Sequence, residues 1–197
     1  ETPSNPQLDV CDIDQLVRAA RAKNVLVAVD NTTATAYLQQ PLALGATYVV
    51  ASDTKGLTGH SDLVLGHVAT GEPERAAALR AWRTQHGAIP GPMEVWLAHR
   101  SLATLPLRAT RQSSSAQQLA EFLSAQPAVE AVLYPGLSGH PGHDVARRQG
   151  AFGVHELATA PRCAREQDVP RVEREAVRAV ADQLGDAEHH QIAGGVL

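Results

Sequence analysis

The chain has 197 residues, 44% of them hydrophobic and 19% charged, and a net charge of −4. That balance excludes a disordered chain and a broad polyanion-binding surface, so no nucleic-acid partner is expected. No run approaches the roughly 20 apolar residues of a membrane helix, so no membrane partner is expected either. Two cysteines, Cys11 and Cys163, are too few for a disulfide scaffold and suit a reducing, cytoplasmic setting.

Residues 1–10 are polar and broken by proline. The start at Glu1-Thr2-Pro3, with no initiator Met and no leader, reads as the interior of something longer. Asp12 to Lys23 places Ile13, Leu16, Val17 and Ala20 at helical spacing, with Asp12 as its N-cap. The apolar run Val25–Val29 predicts a strand covered on both faces, as in a parallel sheet, and it closes on Asp30-Asn31-Thr32-Thr33. Pro41–Gly45 reads as one helical turn with a glycine stop. A second strand at Thr47–Ala51 ends in Ser52-Asp53-Thr54-Lys55-Gly56, and a third is expected over Leu63–Ala69. Polar residues thus gather where the first two strands end, which is where open α/β sheets bind ligands.

Beyond Pro73 the helical period takes over. Helices are expected over Glu74–His86 and over Pro92 to about Ala125, the second interrupted at Pro106. A short strand at 128–134 and a short helix ending at Arg148 follow. After Gly153 the sequence turns rich in Ala, Arg and Glu, with a possible helix over Asp168–Leu184.

Only two lysines occur, Lys23 and Lys55, so a reaction needing an amine has few candidates. Lys55 follows an apolar strand and is flanked by hydroxyls. Such surroundings suit an amine that holds an aldehyde as a Schiff base, with hydroxyls receiving a phosphate. Asp30 ends the preceding strand, where an acidic group can hold a protonated pyridine nitrogen. Each feature has a plainer reading on spacing alone. Lys55 would be a solvated loop lysine, Asp30 an Asx turn, Asn5 a turn former, and Ser52 and Thr54 local backbone caps. His60 and Asp62 lack a nearby third metal ligand, and no metal site is expected. His140, His143 and the pair His189-His190 read as surface residues, and Cys11 as structural. No G-x-G-x-x-G or phosphate-binding loop motif supports a nucleotide binder.

The segments ETPSNP (1–6), VDNT (29–32), SDTKGLTGHSD (52–62) and LYPGLSGHPGH (133–143) resemble the Cys/Met-metabolism enzymes that depend on pyridoxal 5'-phosphate (PLP). The stretch 91–123 resembles that family's long helical link. The resemblance extends over about residues 1–153. It implies a PLP-dependent transferase-like (fold type I) α/β architecture, a mostly parallel sheet with flanking helices. Residues 1–90 would be the C-terminal part of the PLP-binding large domain and 91–153 the helical link and start of a small domain. Residues 154–197 would be an atypical tail that does not look like the family's C-terminal domain. A shifted reading frame or missing segments would each explain the break at 153.

The resemblance further implies that Lys55 is the Schiff-base lysine and later moves protons. It implies that Asp30 sits on the pyridinium nitrogen, with Thr32 close to Asp30 and the ring. Ser52 and Thr54 would bind the cofactor phosphate, and Asn5 would lie near the phenolic oxygen. The implied activity is that of a cystathionine γ-lyase acting on a sulfur amino acid. The alternatives are a γ-synthase or O-acetylhomoserine sulfhydrylase-like transferase, or a non-catalytic fragment. A homo-oligomer, dimer or tetramer, is implied as well. Three departures lie beside the cofactor residues: Gly56 where Tyr is common, Asp53 where a small residue is usual, and Thr33 in place of Phe.

Overall fold

The computed structural model describes residues 1–151 and the backbone of 158–161. Its first helix, α1 (Ile13–Arg21), begins where the sequence places it, because the Asp12 carboxylate accepts the Gln15 N–H at 3.1 Å and caps the exposed first turn. Strand β1 (Ala28–Asp30) follows, then the single turn α2 (Thr35–Leu38), strand β2 (Tyr48–Ser52) and strand β3 (Gly66–Ala69). The helices α3 (Pro73–His86), α4 (Pro92–Leu102) and α5 (Leu105–Ser124) come next, and then β4 (Val129–Leu133), α6 (His143–Gln149) and β5 (Ala158–Pro161).

The sheet order is β1-β2-β3. β1 and β2 run parallel with Asp30 opposite Val50, whereas β3 returns antiparallel with Ser52 opposite Gly66. The α/β fold with flanking helices is thus as the sequence implies, but the third strand reverses direction. The connection from Ser52 to Gly66 contains no helix to carry the chain back across the sheet, so a parallel pairing is not available to it.

The expectation that 25–29 forms a strand covered on both faces does not hold. Val25 and Leu26 are 55% and 53% exposed, and only the last two residues of the run enter β1. One face is packed, where Ile13 and Val17 of α1 meet Val27, Val29 and Ala46. Val64 and Val68 are exposed.

A second cluster joins the N-terminal segment to the later helices. Leu8 and Ala34 pack with Ala116 and Ala120 of α5, Tyr134, Ala146 of α6 and Ala151. Burial pushes the Tyr134 phenol up to about 12. Pro106 falls in the first turn of α5, where its missing N–H costs nothing, so it starts a helix rather than kinking one. α6 is pinned to α1 by Gln149, whose Oε1 accepts the Ile13 N–H at 2.6 Å and whose Nε2 donates to the Cys11 carbonyl. The expected helix at 168–184 and the pair His189-His190 lie outside the described residues. Among the described residues, no helix is long and apolar enough to cross a membrane.

Candidate active site at the ends of β1 and β2

Register decides which side chains share a face. Residues alternate along a strand, and Asp30 stands opposite Val50, so Asp30, Val50 and Ser52 lie on one face while Val29, Val49 and Ala51 lie on the other, where His67 opposite Ala51 meets Asp53 just beyond the strand end. The first face carries the linkage that sets the site. Thr32 Oγ1 donates to Asp30 Oδ1 at 2.6 Å and accepts the Ser52 N–H at 2.8 Å. The Thr32 N–H also donates to Asp30 Oδ1, at 2.9 Å. The plain Asx-turn reading of Asp30 is therefore realised, but it uses only Oδ1. Among the described residues Oδ2 has no hydrogen-bond partner.

Lys55 sits one turn beyond Ser52, its N–H donating to the Ser52 carbonyl at 3.2 Å. The turn is closed behind it. The Gly59 N–H donates to the Lys55 carbonyl at 2.8 Å, and Thr58 donates to the Asp53 carbonyl through both its N–H and its Oγ1. The exposed Lys55 side chain borders an open cleft of about 530 Å³ that Thr54, Ser61, Asp62, Leu63, Val64 and Glu94 also line.

The other expected residues are placed less uniformly. The half-buried Ser52 has no protein partner for its hydroxyl among the described residues, and its cross-strand neighbour Gly66 brings no side chain beside it. Thr54 is engaged instead with backbone: its Oγ1 accepts the Leu65 N–H at 2.9 Å and donates to the Leu65 carbonyl at 3.2 Å. Asn5 belongs to a segment tied to the same sheet end, since the Thr2 N–H donates to the Asp30 carbonyl at 3.3 Å. His140 is buried rather than on the surface, and burial draws its imidazole below the usual value; its Nδ1 accepts the Gly142 N–H. No group of three metal-ligating side chains occurs among the described residues.

Two residues escaped the sequence reading. Arg108, in the first turn of α5, donates through Nη1 to the Gly56 carbonyl at 2.8 Å and through Nη2 to the Leu57 and Ser101 carbonyls at 2.9 and 3.1 Å. It clamps the backbone immediately after Lys55. Gly59 is required beneath it, because the backbone there has φ +69° and a Cβ would collide with the guanidinium. The second is His67, whose Nδ1 lies 2.6 Å from the carboxylate of buried Asp53. Fifty-two residues separate Arg108 from Gly56, and no sequence signal marks that contact. The unusual Asp53 was visible, but its partner was not.

The hydrogen bond to Asp53 raises the His67 imidazole above its usual value, against the opposing effect of burial. A folded value above the unfolded one means a contribution to stability that is complete below about pH 6.5 and is lost as pH rises through the folded value. Urea unfolding should therefore show a stability decline above pH 6.5 that Asp53→Asn flattens. The same slope in Asp53→Asn would assign the decline to other groups.

The chain matches the family described as Cys/Met metabolism PLP-dependent enzyme over residues 1–190. It belongs to that family. A Streptomyces coelicolor protein provisionally named cystathionine gamma-lyase is 58% identical over 149 residues, 76% of this chain and 38% of that protein. The cystathionine gamma-synthase of Mycobacterium leprae is 43% identical over 190 residues, 95% of this chain and 48% of the relative. The crystal structure of cystathionine gamma-lyase from yeast superposes with a TM-score of 0.80 at 40% identity, over 83% of this chain and 43% of that one. The family likeness therefore does not stop near 153, as the composition change suggests, but runs on to 190. The chain spans less than half the length of these relatives.

The donor set suits the family's cofactor. Among the described residues, a carboxylate with one free oxygen, an unpartnered hydroxyl and an exposed amine are offered at one end of one sheet. Those are groups for a pyridinium N–H, a phosphate and an aldehyde.

Proposed function

We propose that this chain carries the lysine-bearing part of a PLP-dependent carbon–sulfur lyase site, with cystathionine γ-lyase-like chemistry on a sulfur amino acid. The observation that carries the reading is the linkage Asp30–Thr32–Ser52, which fixes the acidic group and the phosphate-side strand end relative to each other and leads within one turn to Lys55.

When bound, PLP supplies an electron sink for negative charge at the substrate's Cα. Lys55 would hold the cofactor's aldehyde carbon through its amine and, once the substrate's amine has replaced it there, the freed amine would move the proton at Cα. Asp30 Oδ2 accepts the ring N–H and keeps that proton in place, while Thr32 holds Oδ1 and so fixes the carboxylate's rotamer. Ser52 Oγ donates to the phosphate. Thr54 supports the same turn and reaches the phosphate only by giving up its bond to the Leu65 carbonyl. Asn5, on the segment tied to Asp30, would serve the phenolic oxygen. Residues 1–90 supply these groups and 91–153 the helical link. A cytoplasmic homo-oligomer is part of this reading; the exposed Trp82, Met93 and Trp96 on α3 and α4 offer apolar surface for it.

The second reading is a γ-synthase, favoured by the match to the Mycobacterium leprae synthase over 190 residues. Product analysis separates the two. A γ-lyase incubated with PLP and cystathionine releases cysteine, ammonia and a four-carbon 2-oxo acid. A γ-synthase instead joins cysteine to an activated homoserine. PLP binding with neither reaction would identify a cofactor-binding fragment and contradict the lyase proposal.

Asp30→Asn removes the charge facing the ring nitrogen. A charge-assisted hydrogen bond contributes about 1.5–3 kcal/mol, so PLP affinity should fall roughly 10- to 100-fold, read by spectroscopic titration. Unchanged affinity would remove Asp30 from the ring.

A further inference from the structure

Asp53 is the one acidic residue inside the Ser-Asp-Thr-Lys segment, and a carboxylate beside a phosphate site is electrostatically unfavourable. The structure shows how it is accommodated. Asp53 is 4% exposed and points to the sheet face opposite Ser52. There it meets His67 of β3, which stands opposite Ala51, so the two form a diagonal cross-strand pair on one face with 2.6 Å between Nδ1 and Oδ1. Asp53 and Ser52 are adjacent, with Cα atoms about 3.8 Å apart, so even on opposite faces the Asp53 charge lies about a Debye length, on the order of 10 Å at 0.1 M salt, from an anion held by the Ser52 hydroxyl. Little water separates them, because Asp53 and the following Gly56 and Thr58 are buried.

We propose that His67 is a positioning residue and, when protonated, a counter-charge: by pairing with Asp53 on the far face of β2, it offsets the carboxylate's repulsion of the cofactor phosphate and so tunes the affinity of the Lys55 turn for a phosphate monoester. The inference rests on the proposed PLP site and adds to it a determinant of phosphate affinity that lies outside the groups touching the cofactor. It makes a signed prediction that a merely structural pair does not make. Removing His67 leaves an uncompensated charge, whereas removing Asp53 removes the repulsion itself.

The test is spectroscopic titration of the 197-residue chain with PLP and, separately, with pyridoxal, which has the same aldehyde and ring but no phosphate. His67→Gln should weaken PLP binding about tenfold and leave pyridoxal binding unchanged. Asp53→Asn should bind PLP at least as tightly as the parent chain, and Asp53→Asn in the His67→Gln background should restore the lost affinity. The inhibition constant of inorganic phosphate against PLP should rise in His67→Gln relative to the parent. A structural pair would give equal losses in both single variants, no rescue in the double variant, and parallel losses for PLP and pyridoxal; any of these overturns the inference. Should His67→Gln fail to fold, the Asp53→Asn chain still decides, since weaker PLP binding there is the opposite of what is proposed. A parent chain that binds no PLP overturns the proposed function and this inference with it. A parent that binds PLP with His67→Gln unchanged overturns this inference alone.

Discussion

Lys55→Ala is expected to abolish site-specific, borohydride-fixed capture of PLP, while Lys23→Ala should leave it intact. The expectation follows from chemistry and placement. Only a primary amine condenses with the cofactor's aldehyde. Of the chain's two lysines, Lys23 follows α1, whereas Lys55 stands at the strand end that also holds Ser52 and, through Thr32, Asp30. The effect extends beyond capture. In the proposed function the same amine moves the proton at Cα, and a positioned proton-transfer group contributes about 10²- to 10⁴-fold in rate. Turnover should fall by at least that much in Lys55→Ala, and Lys55→Arg should not rescue it, because a guanidinium stays protonated and does not condense. Residual capture in Lys55→Ala would place the reactive amine elsewhere.

Arg108→Ala should be the most damaging change outside the site itself. Its guanidinium gathers the carbonyls of Gly56, Leu57 and Ser101 and donates through Nε to Thr104 Oγ1. Partial burial lowers its pKa from the ordinary value, yet an arginine remains charged at neutral pH. Removing it leaves the buried Gly56 carbonyl without its donor and unties α5 from the Lys55 turn. Bonds to charged groups contribute about 1.5–3 kcal/mol each, and partial exposure discounts the sum, so a loss of roughly 2–4 kcal/mol is expected in urea unfolding. Lysine should recover little, since a single ammonium cannot reproduce the planar fork. Hydrogen exchange should also quicken across 53–59, because the Gly59-to-Lys55 bond loses its support. An unchanged unfolding midpoint with unchanged exchange would show that the clamp contributes nothing.

What the sequence disclosed follows from the range of the forces involved. α1 was legible because its cap and its apolar stripe are both local, and β2 because its apolar run ends on turn-forming residues. The strand direction of β3 was not, since pairing depends on a connection whose course the residues 53–65 do not announce. The surplus of apolar residues at 25–26 misled for a related reason: hydrophobicity reports what a position tolerates, not whether anything covers it. Within the site, Asp30, Ser52 and Lys55 were legible as types of group at strand ends. That Thr32 takes only one of Asp30's two oxygens was not, because it depends on a rotamer. Thr54 shows the same limit, its hydroxyl being taken by Leu65 across the turn. Arg108 and His67 act over long sequence separations. They become visible only when α5 is laid against the Lys55 turn and β3 against β2.

The most direct test of the site is to find which lysine carries the cofactor. The parent chain is incubated with PLP, reduced with borohydride, digested and mapped by mass spectrometry. The chain has two lysines besides its α-amino group, so each candidate amine is resolved by its own peptide. A pyridoxyl group on Lys55, with Lys23 unmodified, is the predicted result. Labelling confined to Lys23, or equal on both, would contradict the assignment of the β1–β2 strand ends as the PLP site.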